Sequence, residues 1–121
     1  SSEQTVLAHH LRDHLLTNRE GYISLASLAA EHEISVSHLQ KLFKQVYGVP
    51  IYRYIKEYRL EQAAVELVRS GKSVTEIAQQ AGYDNASKFS ESFKKRYGKT
   101  PSRYRADAKK KAKQSSETKM E

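Results

Sequence analysis

The stretch SVSHLQKLFKQVYGVPIYRY, residues 35–54, returns as NASKFSESFKKRYGKTPSRY, residues 85–104. Ser37, Phe43, Lys44, Tyr47, Gly48, Arg53 and Tyr54 recur fifty positions on as Ser87, Phe93, Lys94, Tyr97, Gly98, Arg103 and Tyr104. Just upstream the register is one residue tighter: Ser24, Leu25, Leu28 and Ala29 recur at a spacing of 49 as Ser73, Val74, Ile77 and Ala78. A single-residue insertion therefore falls in the turn of the second copy, where a loop absorbs it. The unit is longer than a solenoid repeat and occurs only twice, so it marks two similar lobes rather than an array.

Each copy reads as a short helix, a tight turn and a longer helix, the layout of a helix-turn-helix. In the longer helix the apolar residues fall on one face: Leu39, Leu42, Phe43 and Val46 in the first copy, Phe89, Phe93 and Tyr97 in the second. Ser24, Ser35, Ser73 and Asn85 stand where N-caps are needed, and Gly48 and Gly98 where the longer helices close. Ala29 and Ala78 are small where two helices cross closely. Gly82, four residues after Ala78, supplies a turn position that tolerates positive φ. Glu33 holds that position in the first copy and predicts a strained or differently shaped turn.

Outward from the repeat, helical periodicity continues and the alternation of strands is missing, which makes the chain all-α with seven helices. The first helix is predicted from Glu3 to Asn18, with Val6, Leu7, Leu11, Leu15 and Leu16 inward and Gly21 beyond its end. Pro50 suits the first turn of a linker helix over residues 51–70, closed by Gly71, with Ile51, Ile55, Tyr58, Ala63, Leu67 and Val68 as its apolar contacts. Pro101 starts a short seventh helix. The result is one domain over residues 1–105: helix-turn-helix subdomains over 3–50 and 73–105, joined by the linker. Residues 106–121, with Lys109, Lys110, Lys111 and Lys113, lack an apolar face and read as a basic, disordered tail.

Composition narrows the function classes. The 121 residues contain no cysteine, which removes disulfides, thiolate metal sites and cysteine nucleophiles and suits the cytoplasm. The first residues lack the layout of a signal peptide, and no apolar run is long enough for a membrane span. Net charge is +7 and unevenly spread. Residues 1–40 carry two basic against five acidic side chains, whereas the remainder carries nineteen against nine, a balance of +10. Such a surplus calls for a polyanionic partner, either nucleic acid or an anionic membrane surface, and charge alone does not choose between them.

The polar faces of the two longer helices suggest which polyanion. At spacing i, i+3, i+4, i+7 they present Ser37, Gln40, Lys41 and Lys44, then Ser87, Ser90, Glu91 and Lys94. A helix entering the major groove needs small residues at its start, hydrogen-bonding side chains one turn on and cations where it leaves past phosphates. Gln40 matches an adenine edge, Lys41 guanine acceptors and Glu91 a cytosine amino group, while Lys44 and Lys94 suit phosphates. A linker of about 30 Å, at ~1.5 Å per residue, approaches the ~34 Å between successive groove faces. Any one such polar face is equally a solvated surface. The competing function is a helical protein-interaction module docking an acidic partner.

These residues resemble the AraC-type family of bacterial transcription regulators over residues 23–105. The run from Ser35 to Lys44 followed by Gly48 is similar to the family's first reading helix. Val74 to Ala78, Gly82-Tyr83, Phe89, Phe93-Lys94-Lys95, Gly98 and Thr100 to Arg105 are similar to its second-unit signature, and Arg59 and Ala63 match its linker. The resemblance implies a seven-helix, homeodomain-like domain that binds double-stranded operator DNA and activates, sometimes represses, transcription, often by contacting RNA polymerase. Most members carry a separate effector or dimerisation domain. None is evident here, so a portion of a larger regulator is expected.

Other constellations point nowhere. His10 and His14 with Asp13 have helical spacing for a metal but no third ligand nearby, and for His38, beside Ser37 and Gln40 on the first reading helix, a DNA contact competes with a plain surface role. Phosphate loops, nucleophile elbows and inward carboxylate pairs are missing, so neither an enzyme nor a cofactor is expected.

Overall fold

The computed structural model describes the backbone of residues 2–17 and 25–119 and the side chains of residues 3–13 and 25–115. The described residues form seven helices: α1 (Ser2–Thr17), α2 (Leu25–Glu31), α3 (Val36–Tyr47), α4 (Ile51–Arg69), α5 (Val74–Gln80), α6 (Ala86–Tyr97) and α7 (Pro101–Lys119). No strand occurs among them. The chain divides into two compact units, Ser1–Tyr58 and Arg59–Glu121, and α4 runs from the first into the second.

In the first unit Ala8 and Leu11 of α1, Leu25, Leu28 and Ala29 of α2, Leu39, Leu42 and Phe43 of α3, and Ile51 and Ile55 of α4 form one buried cluster. The second unit buries Leu60, Ala63, Ala64 and Leu67 of α4 with Ile77, Ala78, Ala81, Phe89 and Phe93. Burying each large apolar side chain contributes about 1.5–3 kcal/mol. Three predicted contacts are absent from these cores: Val6 on α1 and Val68 on α4 are both more than half exposed, and the half-buried Tyr58 of α4 joins neither cluster. A stripe drawn from hydrophobicity alone takes no account of the small residues that allow close approach, here Ala8 and Ala64. The predicted Leu15, Leu16, Gly21 and Ser24 contacts and cap, and His14, lie outside the described side chains.

Side chains set the helix starts. Ser35 Oγ accepts from the His38 amide at 3.0 Å, Ser73 Oγ from the Glu76 amide at 3.1 Å, and Asn85 Oδ1 from the Lys88 amide at 2.8 Å. Each satisfies a donor that the first turn leaves orphaned, for about 1 kcal/mol. Gly48 and Gly98 close α3 and α6 in the left-handed conformation, at φ 77° and 78°. Pro50 sits one residue ahead of α4, its carbonyl accepting from the Tyr54 amide at 3.0 Å, whereas Pro101 is the first residue of α7.

The end of α4 differs from expectation. Gly71 is not in the left-handed region. Instead the Arg105 guanidinium of α7 donates to the carbonyls of Leu67 at 2.9 Å and Lys72 at 2.6 Å, with a longer contact to Ser70 at 3.5 Å. A cation on the terminal carbonyls satisfies orphan acceptors and complements the helix dipole.

The seventh helix also outruns its prediction. Residues 106–119 continue α7 as helix where the sequence reading has a disordered tail. An apolar stripe reports burial, not helicity. Ala106, Ala108, Ala112 and the lysines are good helix formers, and neither Gly nor Pro interrupts them. Asp107 ties the base of this segment, 2.8 Å from Lys99 Nζ and 3.2 Å from Arg103 Nε. Its hydrogen bond to Lys99, with the charges of Lys99 and Arg103, holds the carboxyl below the ordinary carboxylate range.

Candidate nucleic-acid interface

The two turns are built alike. His32, Glu33 and Ile34 donate to Leu28, Ala30 and Ala29, and Ala81, Gly82 and Tyr83 donate to Ile77, Gln79 and Ala78 in the same pattern 49 residues on. Glu33 adopts φ +56° and Gly82 φ +88°. The first turn is therefore strained, as its glutamate predicts, but its hydrogen-bonded shape is that of the second. The extra residue of the second copy is Asp84, between Tyr83 and the N-cap Asn85.

After the turn each longer helix buries one face and presents the other. Leu39, Leu42 and Phe43 are buried on α3, and Phe89 and Phe93 on α6. The i, i+3, i+4, i+7 ridge opposite is open: Ser37, Gln40, Lys41 and Lys44 are exposed on α3, and Ser87, Glu91 and Lys94 on α6, with Ser90 half-buried. Each unit thus groups its four candidate residues on one helix. Lys88 and Lys95, exposed beside Glu91 on α6, belong to the same rim but lie off the predicted i, i+3, i+4, i+7 spacing. Their repeat mates are His38 and Gln45, so this edge is cationic in one unit and not in the other.

Aromatic rings hold the C-terminal end of each ridge helix. Phe43 lies 4.6 Å from Tyr47 and 5.2 Å from Tyr54 of α4; Phe93 lies 4.6 Å from Tyr97 and 5.2 Å from Tyr104 of α7. The edge-on members meet at 78° and 81°. Such pairs are worth about 0.5–1.5 kcal/mol each beyond burial. An arginine covers each tyrosine, Arg12 at 5.7 Å from Tyr47 and Arg96 at 4.9 Å from Tyr97. Burial raises both phenols above their ordinary range, and the Tyr47 hydroxyl is buried with no hydrogen-bond partner among the described residues.

Charge is divided unequally. Residues 1–58 carry six basic and six acidic side chains, and residues 59–121 carry fifteen against eight, so the second unit holds the whole surplus of +7. Among the described residues no cluster of His, Cys, Asp or Glu can hold a metal, and no helix is long and apolar enough to cross a membrane.

Comparison with known proteins accounts for this architecture. Residues 28–107 match the family model described as a helix-turn-helix domain. The chain is 38% identical over 99 residues to the right origin-binding protein of Escherichia coli, covering 78% of this chain and 34% of that protein. It is 36% identical over 90 residues to the transcriptional activator AarP of Providencia stuartii, covering 74% and 64%. A crystal structure of a transcriptional regulator from Chromobacterium violaceum, described as AraC-type, superposes with a TM-score of 0.78 at 25% identity, covering 89% of this chain and 96% of that one. Duplicated helix-turn-helix units with outward polar ridges define a class of DNA-binding regulatory domain rather than an enzyme. The chain belongs to the AraC-type helix-turn-helix family of transcription regulators. It spans about a third of the length of the first curated relatives it matches.

Proposed function

We propose that the ridges of α3 and α6 enter major-groove segments of one duplex and read its sequence. Ser37, Gln40, Lys41, Ser87, Ser90 and Glu91 meet base edges, and Lys44 and Lys94 meet phosphates. The observation that carries this is the repeated pairing of an open polar ridge with a fully buried face, on two helices of equal length. Small residues at the start of each ridge let the helix approach the base edges, and a lysine two turns on meets the phosphates at the groove margin.

The relatives named as activators and regulators support transcription control as the outcome, exerted on promoters in the cytoplasm. In our reading the domain works joined to an effector-sensing or dimerising domain, as the greater length of the relatives suggests, and touches RNA polymerase beside the promoter. Selection of binding sites from random duplexes tests the core of this. The expected result is a motif with two conserved blocks about one helical turn apart. Retention of all duplexes equally, or of none, would instead favour a module that docks an acidic protein.

A further inference from the structure

The C-terminal half of α7 serves neither core. Its base is anchored: Pro101 is fully buried, Tyr104 packs on Phe93 and Tyr97, Arg105 grips the end of α4, and Asp107 is held by Lys99 and Arg103. From Lys109 to Ser115 every side chain is exposed. Between Asp107 and Glu117 the helix carries Lys109, Lys110, Lys111 and Lys113 and no carboxylate. Among the described residues none of the four lysines forms an ion pair.

We infer that this half of α7 is a second, sequence-independent DNA contact, in which Lys109, Lys110, Lys111 and Lys113 bind phosphates of the duplex outside the segment read by α6. The inference rests on the proposal that α3 and α6 bind duplex DNA. Three observations support it. A segment kept only for solubility mixes both signs, and this one does not between Asp107 and Glu117. Lys109 and Lys113, one turn apart, repel each other along the helix, and a polyanion removes that repulsion. The anchored base also spares the arm much of the ordering cost that a loose tail meets on binding. An anionic membrane is the poorer partner, because Ala106, Ala108 and Ala112 are the segment's only apolar residues and offer no hydrophobic face to insert.

The test compares the wild-type chain with a variant carrying Lys109→Gln, Lys110→Gln, Lys111→Gln and Lys113→Gln, which keeps helix propensity. Affinity for a selected site is measured from low to physiological salt, on a duplex trimmed to the site and on one extended at both ends. Each phosphate contact contributes about 0.9 to the slope of log affinity against log salt. The variant's slope is expected to fall by about 1.8 to 3.6 on the extended duplex, for two to four lost contacts, and by less on the trimmed one, with preference for the selected site unchanged. Replacing the same four lysines by arginine restores the slope. Equal slopes for wild type and variant overturn the inference while leaving site-specific binding intact. Loss of the variant's binding to phosphatidylglycerol vesicles, with its DNA slope unchanged, overturns it in favour of a membrane. A wild-type chain that selects no site overturns the underlying proposal instead.

Discussion

A Cβ built on Gly82 falls 2.5 Å from Nη1 of Arg59, so the second turn passes directly beneath an arginine of the linker helix. The first turn has the same hydrogen bonds but carries Glu33 at φ +56°. Gly82→Ala is therefore expected to destabilise the protein by about 1–2 kcal/mol, from left-handed strain plus displacement of the Arg59 side chain. Glu33→Gly is expected to stabilise it by about 0.5–1 kcal/mol by removing strain alone. Thermal unfolding of both variants checks this, and effects of the same sign would contradict it.

In the proposed function Gln40 reads a base edge and Lys94 holds a phosphate, and two variants test the division. Gln40→Ala should lose about 1–3 kcal/mol at one base position and relax preference there. Lys94→Ala should weaken binding on every sequence and lower the salt slope by about 1. Titrations against a panel of single-base variants distinguish the two, and a uniform loss for Gln40→Ala would remove it from the base edges.

Arg105 bridges elements more than thirty residues apart through Leu67 and Lys72. Hydrogen bonds from a charged donor are worth about 1.5–3 kcal/mol. Arg105→Ala is expected to cost that much or more in chemical denaturation. Arg105→Lys should recover only part of it, since a point charge cannot reach both carbonyls as a planar fork does. Full recovery by lysine would show that charge alone matters.

Asp107 makes the base of the arm sensitive to acid. Its folded pKa lies below the unfolded one, so its ion pairs stabilise the fold above the ordinary carboxylate range, and that contribution disappears as pH falls through the lowered value. Amide protection factors over residues 103–113, each referred to the intrinsic rate at the same pH, should fall in the wild type only at acid pH, and in Asp107→Asn already at neutral pH. Matching neutral-pH rates would release Asp107 from this role.

Much of this was legible in the residues because the repeat carries its own internal control. Caps, glycine closures and ridges were each predicted twice, and the insertion's place in the turn followed from the change of spacing from 49 to 50. What escaped depends on distant contacts. Nothing local to Arg105 says that its guanidinium meets carbonyls on another helix. Leu60 and Ala64 enter the second core because of the helices that cover them, and Val68 is left out for the same reason. The continuation of α7 was missed because hydrophobic periodicity detects helices that bury a face, and this one leaves its second half in water.

The trio Phe43, Tyr47 and Tyr54, repeated as Phe93, Tyr97 and Tyr104, fixes more than an end. A helix lying in a groove must also have the correct roll about its own axis, since an error of one residue, about 100°, would turn a leucine or phenylalanine toward the bases. Rings packed tilted and edge-on between the helix and its successor act as a key in a shaft, setting that angle before any nucleic acid arrives. If the ridges read DNA as proposed, the angular search is settled during folding, and an encounter with a site has only position and depth left to find.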